Sequence, residues 1–98
     1  MSRPSKGRCI RCKPSFTYFK PGGIPLIELE EVCIAIDGLE ALRLADYEGL
    51  YHEKAAKKMK ISRATFGRIL DEARKSIAEA IIKGKALRIE KMQTESKI

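Results

Sequence analysis

Apolar residues recur through the middle of this chain at the spacing of helices buried on one face. From Phe66 the positions Ile69, Leu70, Ala73 and Ile77 follow at intervals of three and four, which predicts one long helix with a single buried side. Its continuation through Ile81 and Ile82 ends at Gly84, a residue suited to a helix C-cap. A shorter helix is expected from about His52 to Lys60. An earlier one should run from Asp37 to near Gly49, burying Leu39 and Leu42 with Leu44 or Ala45. Asp37 and Glu40 stand at capping-box spacing at its start. The run LIELEEVCIAI (Leu26 to Ile36) is ambiguous. Leu26, Leu29, Val32 and Cys33 fit helical turns, whereas Val32, Ile34 and Ile36 alternate as a strand does. Ala86 to Ile89 reads as a short strand.

The second and third helices meet in HEKAAKKMKISRATFGRIL (His52 to Leu70), which has the spacing of a DNA-binding helix-turn-helix. Ala56 is small where two helices must approach, Ile61 can plug the turn, and Ser62 can cap the long helix by accepting its free N–H groups. Arg63, Ala64, Gly67 and Arg68 fall away from the buried side and are small or polar, as an element entering a major groove requires. Two positions are irregular. Lys60 occupies a turn position where Gly is usual because φ is often positive, at a cost of about 1 kcal/mol. Gly67 inside a helix costs roughly 1 kcal/mol relative to Ala. The expected fold is therefore mainly α: a three-helix helix-turn-helix domain over residues 24–91, with an irregular basic arm and hinge over 1–23 and a frayed tail over 92–98.

Charge distribution sharpens this picture more than the formal net charge of +7 does. Residues 1–20 hold six Lys and Arg and no acid, residues 21–53 hold eight acids against Arg43 alone, and residues 54–91 hold twelve bases against four acids. Basic surfaces at the arm and at the second and third helices, separated by an acidic scaffold, point to a polyanionic partner. Arg3, Lys6, Arg8, Arg11 and Lys13 could follow phosphates or a minor groove; the same residues would equally suit a solvated tail. The turn-rich Pro21-Gly22-Gly23-Ile24-Pro25 joins arm to body, and Phe16, Tyr18 and Phe19 are suited to pin the arm's end.

Cys9 and Cys12 form a C-x-x-C, half of a zinc site. Completing it would need Cys33 and His52, neither in a knuckle-like context, so incidental free cysteines are the better reading and no cofactor is expected. No nucleophile–base pair or convergent carboxylate pair is visible, and an enzyme is not expected. No apolar run approaches a membrane span and no signal-peptide core follows Met1, which gives a cytoplasmic expectation with no membrane partner.

The runs FKPGGIPLIELEEV, EALRLADYEGL, SRATFGRILDEARKSIAEA and GKALRI resemble a family of small prokaryotic proteins described only as predicted DNA-binding proteins. The resemblance covers about residues 3–89. It implies a helix-turn-helix similar to region 4 of sigma-70-type factors, without an established target. Some relatives carry a second domain resembling the dinitrogenase cofactor-binding fold, and no such stretch follows Ile89 in this sequence. The chain departs from the family at Gly38, where an acid is usual, at Tyr51-His52, and at Lys60.

The expected function is sequence-specific binding of double-stranded DNA, as a transcriptional regulator, with the long helix in the major groove. Arg63 and Arg68 would read bases, with Ser62, Ala64 and Gly67 allowing close approach. Lys57, Lys58, Lys60, Thr65, Arg74 and Lys75 would hold phosphates. A homodimer reading half-sites about 34 Å apart is compatible with so small a module, although no stretch is a clear dimer seam. Two other classes stay open: an adaptor docking on the transcription machinery through the acidic segment from Glu28 to Glu53, and an RNA-binding module.

Overall fold

The computed structural model describes residues 8–90. Its elements are β1 (Tyr18–Phe19), one 3-10 turn (Leu26–Glu28), β2 (Glu31–Ile34), α1 (Ile36–Leu42) running into a π turn (Arg43–Tyr47), α2 (His52–Met59), α3 (Arg63–Lys83) and β3 (Ala86–Ile89). Three helices were expected. The three-stranded sheet was not, and it corrects the mainly α reading.

In the sheet β3 is central, antiparallel to β1 and parallel to β2, with Tyr18 opposite Arg88 and Val32 opposite Leu87. Parallel strands need a crossover, and here all three helices form it. The ambiguous run Leu26–Ile36 thus resolves into a helical turn followed by a strand, and Ala86–Ile89 is the strand expected from sequence.

The main core lies among the helices: Ala41, Leu44, Ala55, Ala56, Met59, Phe66, Ile69 and Leu70 are buried together, with Leu42, Leu50 and Ile61 packed against them. Phe66 is fully buried and stands edge-on to the His52 ring, centroids 5.4 Å apart. Ile34, Ala80, Ala86 and Ile89 are buried at the sheet. Gly38 lets α1 close onto α3: a Cβ there would stand 3.2 Å from Ala73 Cβ and 3.4 Å from Ile34 Cγ2. A carboxylate side chain at this position would need that packing to open.

The expected capping box at Asp37 and Glu40 does not form. Ala35 is the N-cap of α1 and makes no side-chain cap bond. Asp37 instead pairs with Arg8 at 2.7 Å, and Glu40, 1 % exposed, turns inward. Its carboxylate accepts the backbone N–H groups of Arg11 and Cys12, each at 3.1 Å, and both Nε and an Nη of Arg43 at 2.9 Å. The Cys9 N–H donates to the Met59 carbonyl at 2.8 Å. From Arg8 onward, then, the arm is part of the fold, held to α1 and to the end of α2. Arg3 and Lys6 lie outside the described residues, as does the 92–98 tail.

Candidate functional site

The junction of α2 and α3 is built from backbone hydrogen bonds that the sequence specifies. At the end of α2, Lys60 takes the left-handed conformation (φ 59°, ψ 43°). Its N–H donates to the Lys57 carbonyl at 3.0 Å, and the Ile61 N–H donates to the Ala56 carbonyl at 3.1 Å. This paired closure is a Schellman motif, in which the residue after the left-handed one packs back on the helix. Ile61 is that residue. It lies against the helical core, where Ala56 is buried and small. Ser62 then caps α3, its Oγ accepting the Thr65 N–H at 3.0 Å and donating to Thr65 Oγ1 at 3.0 Å.

α3 begins with its first turns projecting outward. Arg63, Ala64 and Arg68 are exposed, Gly67 is half-buried, and a Cβ built on Gly67 would meet nothing within 4 Å. Ala64, Gly67, Arg68, Asp71, Glu72 and Lys75 line one shallow concavity on this side. Lys57, Lys58 and Lys60 are exposed along α2 and the turn. Among the described residues, Arg63, Arg68, Lys57, Lys58, Lys60 and Lys75 enter no ion pair. On α2, the turn and the first turns of α3 these uncommitted cations make an electropositive surface available to an anion, with Lys75 more than three turns further along α3.

The remaining site residues sit differently. Arg74 grips Asp46 through Nε at 3.1 Å and an Nη at 2.6 Å, so its guanidinium is committed to bracing α3 against the π turn. Thr65 is half-buried, its backbone N–H used by the cap. Asp71 and Glu72 are two residues that sequence reasoning passed over: they stand one turn beyond Arg68 on the same concavity. Their positions at i+3 and i+4 from Arg68 were the available signal. They end the electropositive stretch after the first turns of α3.

Cys9, Cys12 and Cys33 are free thiols, and among the described residues no three His, Cys, Asp or Glu side chains converge as a metal would need. Cys9, Cys12, Cys33 and His52 are therefore not brought together. Burial, and then its hydrogen bond to Glu40, push the Cys12 thiol up to about 11, so it stays protonated near neutral pH, the form that neither attacks nor binds metal. No helix among the described residues is long and apolar enough to cross a membrane.

Residues 1–96 match the family described as "Protein of unknown function DUF134". The chain is 54% identical over 90 residues to a UPF0251 protein of Caldanaerobacter subterraneus subsp. tengcongensis, spanning 92% of this chain and 76% of that protein. It is 53% identical over 90 residues to a UPF0251 protein of Desulfosudis oleivorans, spanning 92% of this chain and 65% of that one. A third UPF0251 protein, from Pelotomaculum thermopropionicum, is 54% identical over 89 residues, spanning 91% of this chain and 67% of its own length. No solved structure matches the chain. With nearly its whole length matched by the family and by these relatives, the chain belongs to the DUF134 family of UPF0251 proteins.

Proposed function

We propose that this protein binds double-stranded DNA as a transcriptional regulator of the cytoplasm, using α2, the turn and α3 as a helix-turn-helix similar to region 4 of sigma-70-type factors. The observation that carries this reading is the start of α3: a Ser62-capped helix end whose outward turns present Arg63, Ala64, Gly67 and Arg68, ringed by lysines that pair with no described acid. The N-terminal turns of a recognition helix are the part that reaches base edges. Arg68 is suited to bidentate pairing with guanine O6 and N7. The missing side chain at Gly67 leaves room for the backbone to approach the groove floor. Lys57, Lys58, Lys60 and Lys75 lie where they would meet phosphates, and Thr65 can offer its hydroxyl proton. Arg74 would join them only by releasing Asp46.

Duplex recognition accounts for this surface better than single-strand binding, which relies on exposed aromatic platforms to stack bases. Neither α3 nor the turn before it presents one on the reading side. The test is competition between duplex DNA, duplex RNA and single strands at equal salt, with duplex affinity followed across a salt series. If ~5–7 cations meet phosphates, log K against log[salt] should fall with a slope of about −4 to −6. Duplex RNA or single strands winning the competition would support the RNA-binding class, and no nucleic-acid binding at low salt would support the adaptor.

A further inference from the structure

The concavity on the outward side of α3 is chemically divided along its length. Toward the Ser62 cap its wall is apolar. Ala64 is exposed there and offers a bare methyl group, while a Cβ built on Gly67 would meet nothing within 4 Å. Toward the middle of the helix stand the exposed carboxylates of Asp71 and Glu72. Among the described residues neither acid enters an ion pair, although Arg68 lies three and four residues before them. At 100° per residue Ala64, Gly67, Arg68 and Asp71 fall within roughly 100° of arc, so all four face one way.

That division decides what the concavity can receive. Unpaired carboxylates repel a phosphate, so this surface does not suit the backbone of a nucleic acid. A polar base edge set against the Ala64 methyl group would give up its water and gain no hydrogen bond. Each base pair displays a pattern of donors and acceptors in the major groove, and one apolar group appears there, the C5-methyl of thymine. We infer that Ala64 and the open backbone at Gly67 receive a thymine methyl group, close to the guanine that Arg68 would pair with; this rests on the proposed DNA-binding reading.

The spacing limits where that thymine can lie. Ala64 and Arg68 are four residues apart and about 40° apart around the axis, which separates them by about 6 Å along α3. Successive base pairs are about 3.4 Å apart. The thymine therefore falls within about two base pairs of the guanine. Size matters at both positions. A side chain longer than Ala64 would fill the space the methyl group enters, and a Cβ at Gly67 would narrow it. The contact would also distinguish DNA from RNA, since uracil lacks the methyl group that thymine shows in the groove.

The test is fluorescence anisotropy with a duplex selected from a random pool by the wild-type chain, each thymine being replaced in turn by uracil. That exchange removes one methyl group and keeps the base pair. At one position, within about two base pairs of the one relaxed by Arg68→Ala, uracil should weaken wild-type binding. The expected loss is about 3- to 10-fold, the worth of one buried methyl contact. Ala64→Gly should bind the thymine duplex about as weakly as wild type binds the uracil one, and respond no further to the exchange. Circular dichroism checks its fold; partial unfolding would lower affinity for both duplexes and leave the difference between them intact. Uracil tolerated at every position, or an Ala64→Gly chain that keeps the full thymine preference, overturns the inference and leaves DNA binding standing. No duplex selected at all would remove the DNA reading and this inference with it.

Discussion

The buried Glu40 carboxylate accepts the Cys12 backbone N–H at 3.1 Å across 28 residues of chain, and with that bond the N-terminal segment becomes a strut of the helical domain. The same carboxylate takes the Arg11 N–H and a two-pronged contact from Arg43. Removing it would leave two backbone donors unpaired inside the fold and take one of the two carboxylate partners of Arg43, Glu48 remaining. Glu40→Ala should therefore destabilise the fold by roughly 3–5 kcal/mol, read as a shift of the urea midpoint. Little or no shift would mean that the arm contributes nothing to the domain.

A pH dependence follows from the same group. Burial pulls the Glu40 carboxyl upward, but hydrogen bonds from Arg43, the Arg11 N–H and Cys12 outweigh it and hold it below its ordinary value of 4.5. A carboxylate depressed in the folded state stabilises that state above the unfolded value and loses the contribution as pH falls through the folded one. Stability should thus be level above about pH 5 and decline below about pH 4. In Glu40→Gln that acid slope should be shallower, as measured by urea unfolding at a series of pH values. An unchanged slope would assign acid sensitivity to other carboxylates.

Lys60 holds φ at 59° without being glycine. Replacing it with Gly relieves the Cβ strain of the left-handed turn and should raise stability by about 1 kcal/mol in thermal or chemical melts. If Lys60 meets a phosphate as proposed, the same change should lower duplex affinity in a binding titration, and unchanged affinity would remove Lys60 from the interface.

Gly67 separates stability from function more sharply. Open space surrounds the position its Cβ would take, so Gly67→Ala should strengthen α3 by up to about 1 kcal/mol. If the α3 backbone approaches the groove there, the same change should weaken duplex binding. A variant both more stable and equally tight would show that Gly67 is only a tolerated surface site.

These cases also mark what the sequence could and could not convey. The cap at Ser62, the small Ala56, the plug Ile61 and the stripe from Phe66 to Ala73 are local signals, separated by a few residues, and each stands where its spacing placed it. Ile77, expected on the same stripe, is only half-buried, while Ala80 one turn on is buried at the sheet. The sheet was hidden for the opposite reason. Glu31 and Ala86 pair across three intervening helices, and β1 is two residues long, so although Ala86–Ile89 reads as a strand, no hairpin turn announces what it pairs with. The arm reads as irregular because its backbone donors go to a side-chain carboxylate and a helix end rather than to a ladder. Glu40 misleads for the same reason: capping-box spacing is met, yet a better set of donors lies inside. Of the candidate site, the exposed cations were legible, but the Arg74–Asp46 pair was not, because its partners lie 28 residues apart.

The most direct test of the account is a binding titration of wild type, Arg68→Ala and Lys75→Ala on a selected duplex and on its scrambled counterpart, with circular dichroism confirming that all three fold. Arg68 projects from the second turn of α3, the part that would reach base edges in the proposed interface, whereas Lys75 lies two turns further on and past the acids Asp71 and Glu72. Arg68→Ala should lose about 1–3 kcal/mol on the selected duplex, much less on the scrambled one, and relax base preference at one position. Lys75→Ala should weaken both duplexes alike and reduce the salt slope by about 1. Equal losses for both variants on both duplexes would make Arg68 a phosphate clamp, and duplex binding indifferent to both substitutions would remove α3 from the interface altogether.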